Sequence, residues 1–412
     1  MVDKRFVRNL DYILIISVLL IVCFSLVIIS SATVVSSPMD FREHQELWNK
    51  ETQGISNLTE SEPTSLSFLQ YANILFSGYV QKQIIWFVAG VIAILFVISI
   101  SYEDLRRHRK TIYIINLLLL AAVLSPLGHN AKGATRWIDL GAFKLQPSEF
   151  AKIFIIITFA DFLSRREGKL KNFKDLLPCF VHIGVPMLLI LKQPDLGTSL
   201  VFIAIMFGML FVASSNGKLI AGLFFGGLTS AVSWVWLHFK IGLWIPLKDY
   251  QLDRLLVFID PWEQWHGNGY HVVQSQIAIG SGGLEGKGIF NGSQNQLNFL
   301  PEQHTDFIFS VVGEEMGFIG VTALLVLFLI LLYRGIRIAS EARDLNGTLL
   351  ASGVVTMLAF HILTNVGMVS GIMPVTGVPL PLFSYGGSSM LTNMIAIGLL
   401  LNVYSRRQKI LF

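Results

Sequence analysis

The sequence has little charge and almost no cysteine. Only 14% of its 412 residues are charged, whereas 53% are hydrophobic; an average soluble domain carries about 25% charged residues. This balance excludes an ordinary soluble domain, which could not hide so much apolar surface. The net charge of +4 at pH 7 is not a nucleic-acid signal, and we expect no nucleic-acid partner.

The sparse cysteines and histidines also exclude several kinds of site. Cys23 and Cys179 lie in apolar runs and offer neither a disulfide framework nor a metal-binding spacing. We interpret both as small buried hydrophobic residues. The histidines at 266, 271 and 304 match no standard zinc spacing. The stretch GSGGLEGKG lacks the spacing of a phosphate-binding loop.

Long apolar runs are abundant instead. Runs of about 18 or more apolar residues are typical of helices that cross a bilayer. They predict an all-α polytopic membrane protein with about ten transmembrane helices in one domain, residues 1–412. The runs cover residues 12–34, 82–101, 111–127, 147–164, 178–192, 197–213, 218–238, 306–333, 347–370 and 385–404.

The basic residues predict the orientation of these spans. With the N-terminus inside, most of the 31 lysine and arginine residues fall in the inner segments, as short cytoplasmic loops require. Both termini are then cytoplasmic. Two long outer loops follow, an acidic one at 35–80 and a large structured one at 239–305, before the eighth span. Within the second loop, VVQSQIAI indicates a short interfacial helix.

Acidic residues stand where the eighth span begins, in FLPEQHTDFIFSVVGEEMGF. One interpretation is that Thr305 or Asp306 caps the helix. Capping explains one acid, but not Glu302, nor Glu314 and Glu315 farther along. Ionisable groups deep in a bilayer cost about 2.5 kcal/mol or more, so they usually face a cavity or a partner. The cluster therefore predicts a polar cavity that opens to the outside.

Two other spans begin in a similar way. RWIDLGAFKLQPSEFAK places Glu149 and Lys152 three residues apart on one helix face, and KQPDLGTSL contains Lys192 and Asp195. Each pair has two interpretations, a self-neutralising ion pair within the membrane or groups that line the cavity. A substrate with negative charge and hydroxyl groups suits such a site, and a carboxylate there can serve as a general base.

Together these motifs resemble the SEDS family (shape, elongation, division and sporulation) of bacterial peptidoglycan glycosyltransferases. The resemblance covers nearly the whole chain. It is densest in RWIDLGAFKLQPSEFAK, KQPDLGTSL, GYHVVQSQIAIGSGGLEGKG, FLPEQHTDFIFSVVGEEMGFIG and GIMPVTGVPLPLFSYGGSS. The last stretch and GSGGL are similar to the elongation branch, RodA, rather than the division branch, FtsW. The loop at 35–80 is longer than we expect for a RodA-like protein.

The resemblance implies a reaction and a set of site residues. The family polymerises lipid II at the outer face of the bacterial cytoplasmic membrane, and the similarity to its RodA branch implies a role in cell elongation. Asp306 would deprotonate the 4-hydroxyl of its GlcNAc, which attacks the anomeric carbon of the growing glycan and expels undecaprenyl pyrophosphate. Lys152, Arg136 and Arg254 would stabilise that pyrophosphate. The residues expected to bind substrate or line the cavity are Glu149, Lys152, Arg136, Arg254, Asp195, Glu302, His304, Glu315 and Ser388.

Partners and cofactors follow from the same resemblance. It implies a class B penicillin-binding protein, a transpeptidase with one membrane span, docked near the helices at 306–333 and 347–370. Other membrane proteins of the elongation complex are expected as well. No cofactor is certain: a divalent cation, Mg²⁺ or Mn²⁺, is left open, because no ligand set is legible in the sequence.

Three alternatives remain at this level. A lipid II flippase also needs many spans and a polar cavity, but its polar groups should continue through the whole membrane depth. A non-catalytic scaffold of the wall-synthesis machinery predicts that Asp306→Asn leaves function intact. Composition and spacing alone, without the resemblance, favour a proton-coupled solute transporter.

Overall fold

The structure is a computed structural model. Most of the first predicted outer loop, 35–80, lies outside the described residues, as does Glu302. The described residues are 10–33, 78–131, 134–139, 141, 143–214, 216–245, 247–262, 268–297, 299–300 and 303–407.

Fourteen helices and three short strands form within these ranges. The helices that precede the large loop are α1 Tyr12–Thr33, α2 Gly78–Ser99, α3 Tyr102–Arg107, α4 Arg109–Val123, α5 Pro147–Ser164, α6 Phe173–Lys192, α7 Leu196–Ala213 and α8 Gly217–Ile241. The remaining helices are α9 Asp249–Ile259, α10 Asn268–Ser281, α11 Ser293–Gln296, α12 Ile308–Ser340, α13 Leu345–Val369 and α14 Gly387–Ser405. The strands are β1 Gly128–Ala131, β2 Ala134–Asp139 and β3 Lys144–Leu145.

A helix occupies each of the ten predicted spans. Among the described residues, eight helices are long and apolar enough to cross a membrane: α1, α2, α6, α7, α8, α12, α13 and α14. The helices at the other two predicted spans, α4 and α5, are too short or too polar to be counted with these eight. Helix α4 has 15 residues, and α5 carries Glu149, Lys152 and Asp161 within its 18 residues. The polytopic all-α membrane fold is confirmed, whereas the count of ten spans stays a prediction.

Helices α13 and α14 form the centre of the bundle. About three fifths of the apolar window of α13 and nearly three quarters of that of α14 are buried, against 6% for α8. Helix α13 packs on α7, α5 and α12, and α14 packs along α2. Small residues permit this close approach. A Cβ at Gly353 of α13 would lie 2.8 Å from the sulfur of Met209 and 2.9 Å from a methyl carbon of Ile156.

The loop between α4 and α5 contains a small sheet that the all-α prediction omitted. Strands β1 and β2 pair antiparallel, and β3 pairs antiparallel with β2. The sheet also shortens the predicted span at 111–127, which ends at Val123. Pro126 follows shortly afterwards, and a proline disfavours helical geometry in the residue before it.

The described part of the large loop between α8 and α12 contains the helices α9, α10 and α11, and the VVQSQIAI stretch lies within α10. The following glycine-rich turn docks on α12 at a kink. Gly317 has φ 59° and ψ −157° inside α12, a conformation that glycine adopts readily. The freed backbone groups bond to the turn: the Phe318 N–H donates to the Gly283 carbonyl at 2.9 Å, and the Gly288 N–H donates to the Glu315 carbonyl at 2.9 Å.

The prediction that both cysteines are buried needs correction. Cys23 is exposed on the surface of α1, whereas Cys179 is buried as predicted. Helix α12 begins at Ile308, and its N-cap residue is Phe307, which makes no side-chain capping bond. Neither Thr305 nor Asp306 therefore holds the N-cap position, and the capping interpretation of their side chains stays a prediction.

Candidate active site

One end of the bundle gathers most of the predicted site residues. Helices α5, α7, α12 and α14 begin there, and α13 ends there. Hydrogen bonds join these termini directly. The Ser148 hydroxyl donates to Asp195 Oδ2 at 3.3 Å, and the Asn365 amide donates to the Asp306 carbonyl at 2.9 Å. We call this region the site end.

Asp306 lies two residues before the first residue of α12 and is partly buried. Its carboxylate borders the segment between α13 and α14, residues 370–386. An ideal Cβ built on Gly377 would lie 3.6 Å from Asp306 Oδ2. Gly377 has φ +68°, the left-handed region in which glycine carries no steric penalty. The carboxylate therefore faces backbone at this point, with no Cβ between them.

Arg254 reaches the same glycine from α9. Its guanidinium donates to the carbonyls of Val375 at 3.4 Å and Thr376 at 3.3 Å. Its Nη1 lies 3.7 Å from the same ideal Cβ position on Gly377. The Asp306 carboxylate and the Arg254 guanidinium thus border one residue, although a long loop separates them in the chain. A proton acceptor and a fixed cation at one place are what displacement of an anionic leaving group requires.

Glu149 and Lys152 form the ion pair that their spacing predicts. Lys152 Nζ lies 2.7 Å from Glu149 Oε1, and the two residues are 2% and 5% exposed. Helix α5 begins at Pro147, as predicted, which sets both charges in its first turns. His361 of α13 adds a third group, because its Nε2 lies 3.0 Å from Lys152 Nζ. The spacing of Glu149 and Lys152 does not predict this third partner.

Asp195 is the N-cap of α7 and accepts from the Thr198 N–H at 3.2 Å and the Thr198 hydroxyl at 2.9 Å. Arg136 of β2 approaches it, with Nη1 3.8 Å from Asp195 Oδ1. The same guanidinium donates to the carbonyls of Gln193 and Pro194. Arg136 therefore ties the small sheet to the α6–α7 turn. Lys192, the other half of the predicted pair, is exposed.

His304 and Ser388 also lie at the site end. The His304 ring packs against Tyr79 and Tyr385, with centroid distances of 5.0 Å and 5.7 Å. Burial, together with the neighbouring Tyr79, raises the pKa of Tyr385, so its hydroxyl stays neutral at neutral pH. Ser388 accepts from the Gln146 N–H at 3.2 Å and thereby joins the start of α14 to the start of α5.

Glu314 and Glu315 lie in a different environment from the predicted one. Both are buried in α12 and bond to protein groups around the kink. Glu315 Oε1 accepts from Ser31 Oγ at 2.5 Å and from Asn295 Nδ2 at 3.0 Å. Glu314 Oε1 lies 2.8 Å from Lys287 Nζ. The two acids thus hold α1, the glycine-rich turn and α11 on α12, so their contacts are structural.

Three residues of the site end were not predicted from the sequence: His361, Asn365 and Gly377. His361 and Asn365 are buried polar residues within the span α13, and polar residues inside a span are a recognised signal of function. That signal was present in AFHILTNVGM. Gly377 lies in VTGVP, where only the backbone conformation reveals the need for glycine.

A divalent cation finds no evident ligand set here. Within the described ranges, no group of three or more His, Cys, Asp or Glu side chains could hold a metal ion. Arg254, which borders Gly377 together with Asp306, carries a positive charge that repels cations. These residues do not fit a resident Mg²⁺ or Mn²⁺ ion, and we derive no step through one.

The fold and the site define a class: a polytopic membrane protein whose span ends bring a carboxylate and an arginine together. The comparisons narrow this class to a family. Residues 63–409 match the FTSW_RODA_SPOVE family, described as "Cell cycle protein", and the chain belongs to this family. The match includes the site residues discussed above.

Known proteins support this assignment at the level of sequence and fold. The chain is 40% identical over 332 residues to stage V sporulation protein E of Bacillus subtilis, covering 80% of this chain and 88% of that protein. It is also 40% identical over 333 residues to peptidoglycan glycosyltransferase MrdB of Escherichia coli K12, covering 80% and 87%.

Solved structures agree over almost the full length. A chain from the structure titled "Structural coordination of polymerization and crosslinking by a peptidoglycan synthase complex" superposes with a TM-score of 0.72 at 29% identity, covering 96% of this chain and 97% of that one. The rod shape determining protein RodA of Thermus thermophilus superposes with a TM-score of 0.64 at 27% identity, covering 97% and 98%. The fold is therefore RodA-like.

Proposed function

We propose that this protein is a peptidoglycan glycosyltransferase that polymerises lipid II into glycan strands at the outer face of the bacterial cytoplasmic membrane during cell elongation. The observation that carries the proposal is the meeting of Asp306 and Arg254 at Gly377. The 40% identity to a protein named peptidoglycan glycosyltransferase supports the reaction class. The RodA-like fold supports the elongation role.

In the proposed reaction Asp306 acts as general base. Its carboxylate accepts the proton of the GlcNAc 4-hydroxyl of lipid II. That oxygen bonds to the anomeric carbon of the growing chain, and the bond from this carbon to the pyrophosphate oxygen breaks. Undecaprenyl pyrophosphate leaves with the electron pair. Proton transfer to a positioned carboxylate typically contributes about 10²- to 10⁴-fold to such a rate.

The leaving pyrophosphate needs cations, and the three candidates differ in their surroundings. Arg254 borders the same residue as Asp306, the proposed general base. Lys152 pairs with Glu149, and Arg136 pairs with Asp195. Because Arg254 and Asp306 border one residue, we assign Arg254 the direct contact, with Lys152 and Arg136 contributing to the electrostatic potential of the site.

A polymerisation assay tests the proposal. The purified protein, with its cognate class B penicillin-binding protein, is given lipid II, and the products are resolved on a gel beside those of Asp306→Ala. Glu285→Ala, which removes an exposed acid from the large loop, is the matched control. We expect long glycan from wild type and control and none from Asp306→Ala, with unchanged size-exclusion profiles.

Two results would contradict the proposal. Equal product from wild type and Asp306→Ala would show that Asp306 takes no part in the reaction, although the protein would still be a polymerase. No product from any variant, together with passage of lipid II across vesicle membranes, would favour the flippase.

The proposed partner is a class B penicillin-binding protein, whose single span would dock on α12 and α13. The structural relative comes from a complex that couples polymerisation to crosslinking. Helix α12 offers a continuous apolar surface at helical spacing, the α12 stripe, which is well exposed. The α12 stripe consists of Phe318, Ile319, Leu325, Val326, Leu329, Tyr333 and Ile336. Other membrane proteins of the elongation complex are expected to join this assembly.

The proposed orientation places the site end outside and both termini in the cytoplasm. Basic residues gather at the opposite end of the bundle. Asp161 of α5 pairs there with Arg106, Arg109 and Arg165 at 2.8, 2.5 and 2.9 Å. Arginine-rich segments at one end of the spans favour a cytoplasmic location for that end.

A further inference from the structure

Helix α13 presents two buried polar side chains to the site end, one helical turn apart. His361 is 3% exposed and Asn365 is fully buried. Residues four apart on a helix lie on the same face, with Cβ atoms about 5–6 Å from each other. A buried polar group without hydrogen bonds is costly, so its partners indicate why it is there. The partners of these two residues include the site residues Lys152 and Asp306.

The hydrogen bonds of His361 assign its tautomer. Its Nδ1 lies 2.7 Å from the Met357 carbonyl, which can only accept, so the ring proton is on Nδ1. Nε2 is then left with a lone pair, which accepts from the Lys152 ammonium at 3.0 Å. Glu149 holds the same ammonium at 2.7 Å. Two acceptors on different helices thus fix the position of one cation.

Asn365 acts on the backbone that carries Asp306. Its amide nitrogen donates to the Asp306 carbonyl and to the Val378 carbonyl, each at 2.9 Å. Both amide protons are used in these two bonds. These two bonds join the backbone of Asp306 to the segment that contains Gly377. Because the N-cap residue Phe307 makes no side-chain capping bond, these tertiary contacts help determine where Asp306 lies.

We infer that His361 and Asn365 are a positioning pair, through which one turn of α13 holds the Lys152 ammonium and the Asp306 backbone in a fixed relation. The inference rests on the proposed function, since it deepens the same site. Neither residue touches the reacting atoms. Their contribution is geometric: a displacement of about 1 Å in a reacting group can cost on the order of 100-fold in rate.

Four variants test the pair in the assay of the full-length protein with its partner and lipid II. Asn365→Asp replaces both donors with an oxygen that faces two carbonyl oxygens. We expect kcat to fall on the order of 100-fold, with KM changed by no more than about twofold. Asn365→Thr keeps one donor, so its kcat should lie between those of Asn365→Asp and wild type. If Asn365→Asp does not fold, Asn365→Thr takes its place in the test.

His361→Leu removes the acceptor for Lys152, and His361→Gln returns an oxygen that can accept from the same ammonium. We expect a fall in kcat of about tenfold for His361→Leu, the scale of one lost charge-assisted hydrogen bond, and recovery of most of it in His361→Gln. Asn393→Ala is the control. Asn393 is a buried asparagine of α14 that donates to Ser389 of its own helix, and its removal should leave kcat unchanged.

The outcomes separate this inference from the proposed function. Wild-type kcat in Asn365→Asp and His361→Leu, or equal losses in His361→Leu and His361→Gln, would overturn the positioning pair while Asp306 variants remain inactive. A rise in KM alone would also overturn it, because it would indicate substrate binding instead of positioning. Wild-type activity in Asp306→Asn would remove Asp306 from the proposed reaction, and absence of glycan product from the wild-type protein would overturn the proposed function itself.

Discussion

Gly377 is the residue at which the two charged groups of the site come together. Asp306 Oδ2 and Arg254 Nη1 lie 3.6 and 3.7 Å from the position that its Cβ would take. A side chain here would meet two obstacles, the left-handed backbone and the charged groups themselves. The left-handed backbone costs a residue other than glycine about 1–2 kcal/mol of stability. Contact with the charged groups would instead displace them and lower the reaction rate.

The variant Gly377→Val separates these two effects. We expect polymerisation to fall at least tenfold, because the added methyl groups displace Asp306 or Arg254 on the scale that impairs reacting groups. Gly168→Val is the matched control, since Gly168 has φ +70° with open space around it. Both variants should lose similar thermal stability, and only Gly377→Val should lose rate. Equal rates for the two variants would show that the space beside Gly377 is irrelevant to catalysis.

At this scale, the sequence predicted local pairs better than distant ones. Glu149 and Lys152 were recognisable because residues three apart share a helix face, and their ion pair is confirmed. The approach of Arg254 to Asp306 depends on the path of the large loop, which no local pattern encodes. Glu314 and Glu315 were predicted to face a cavity, whereas their observed partners come from α1, α11 and the glycine-rich turn. Contacts between segments so far apart in the chain leave no periodic signal.

At the scale of elements, α12 has two different surfaces. Its first turns are buried and anchor the turn of the large loop, whereas the α12 stripe is exposed farther along. Hydropathy alone predicted a span near 306–333 but could not predict its kink or its extension to Ser340. Members of the α12 stripe recur at spacings of three, four and seven, which places them on one face of the helix, and side-chain packing drives helix association in a bilayer.

Replacing two members of the α12 stripe tests the proposed partner surface. We expect Leu329→Ala combined with Tyr333→Ala to reduce co-purification of the class B penicillin-binding protein at least fivefold, since large side chains dominate interface energies. The matched control is Phe225→Ala with Val232→Ala on α8, two residues that are equally exposed. Equal loss of the partner in both double variants would refute a specific role for the α12 stripe.

At the scale of the whole molecule, the two ends of the bundle differ in charge. The site end contains mixed acids and cations, whereas the opposite end is rich in arginine, including the buried pair of Arg334 with Asp11 at 2.5 Å. The fold class and most helix positions followed from hydropathy, because the bilayer fixes the length of an apolar span. The β1–β3 sheet did not, because strands of two to six residues give no periodicity to detect.

Accessibility of single cysteines tests the proposed orientation. In a chain with both native cysteines replaced by serine, Glu285→Cys should react with a membrane-impermeant maleimide in intact cells. Glu167→Cys should react only after the membrane is opened. Both positions are exposed and originally acidic, so they differ mainly in the side of the membrane. The reverse labelling pattern would invert the topology and place the site in the cytoplasm.

The most direct test of the central claim, that Asp306 is the general base, is the rate of glycosidic-bond formation in a single turnover by Asp306→Asn. The asparagine keeps the shape of the side chain and cannot accept the proton. We expect lipid II binding to stay within about threefold of wild type, while the rate falls by about 10²- to 10⁴-fold. A wild-type rate in Asp306→Asn would contradict the role of Asp306 as general base.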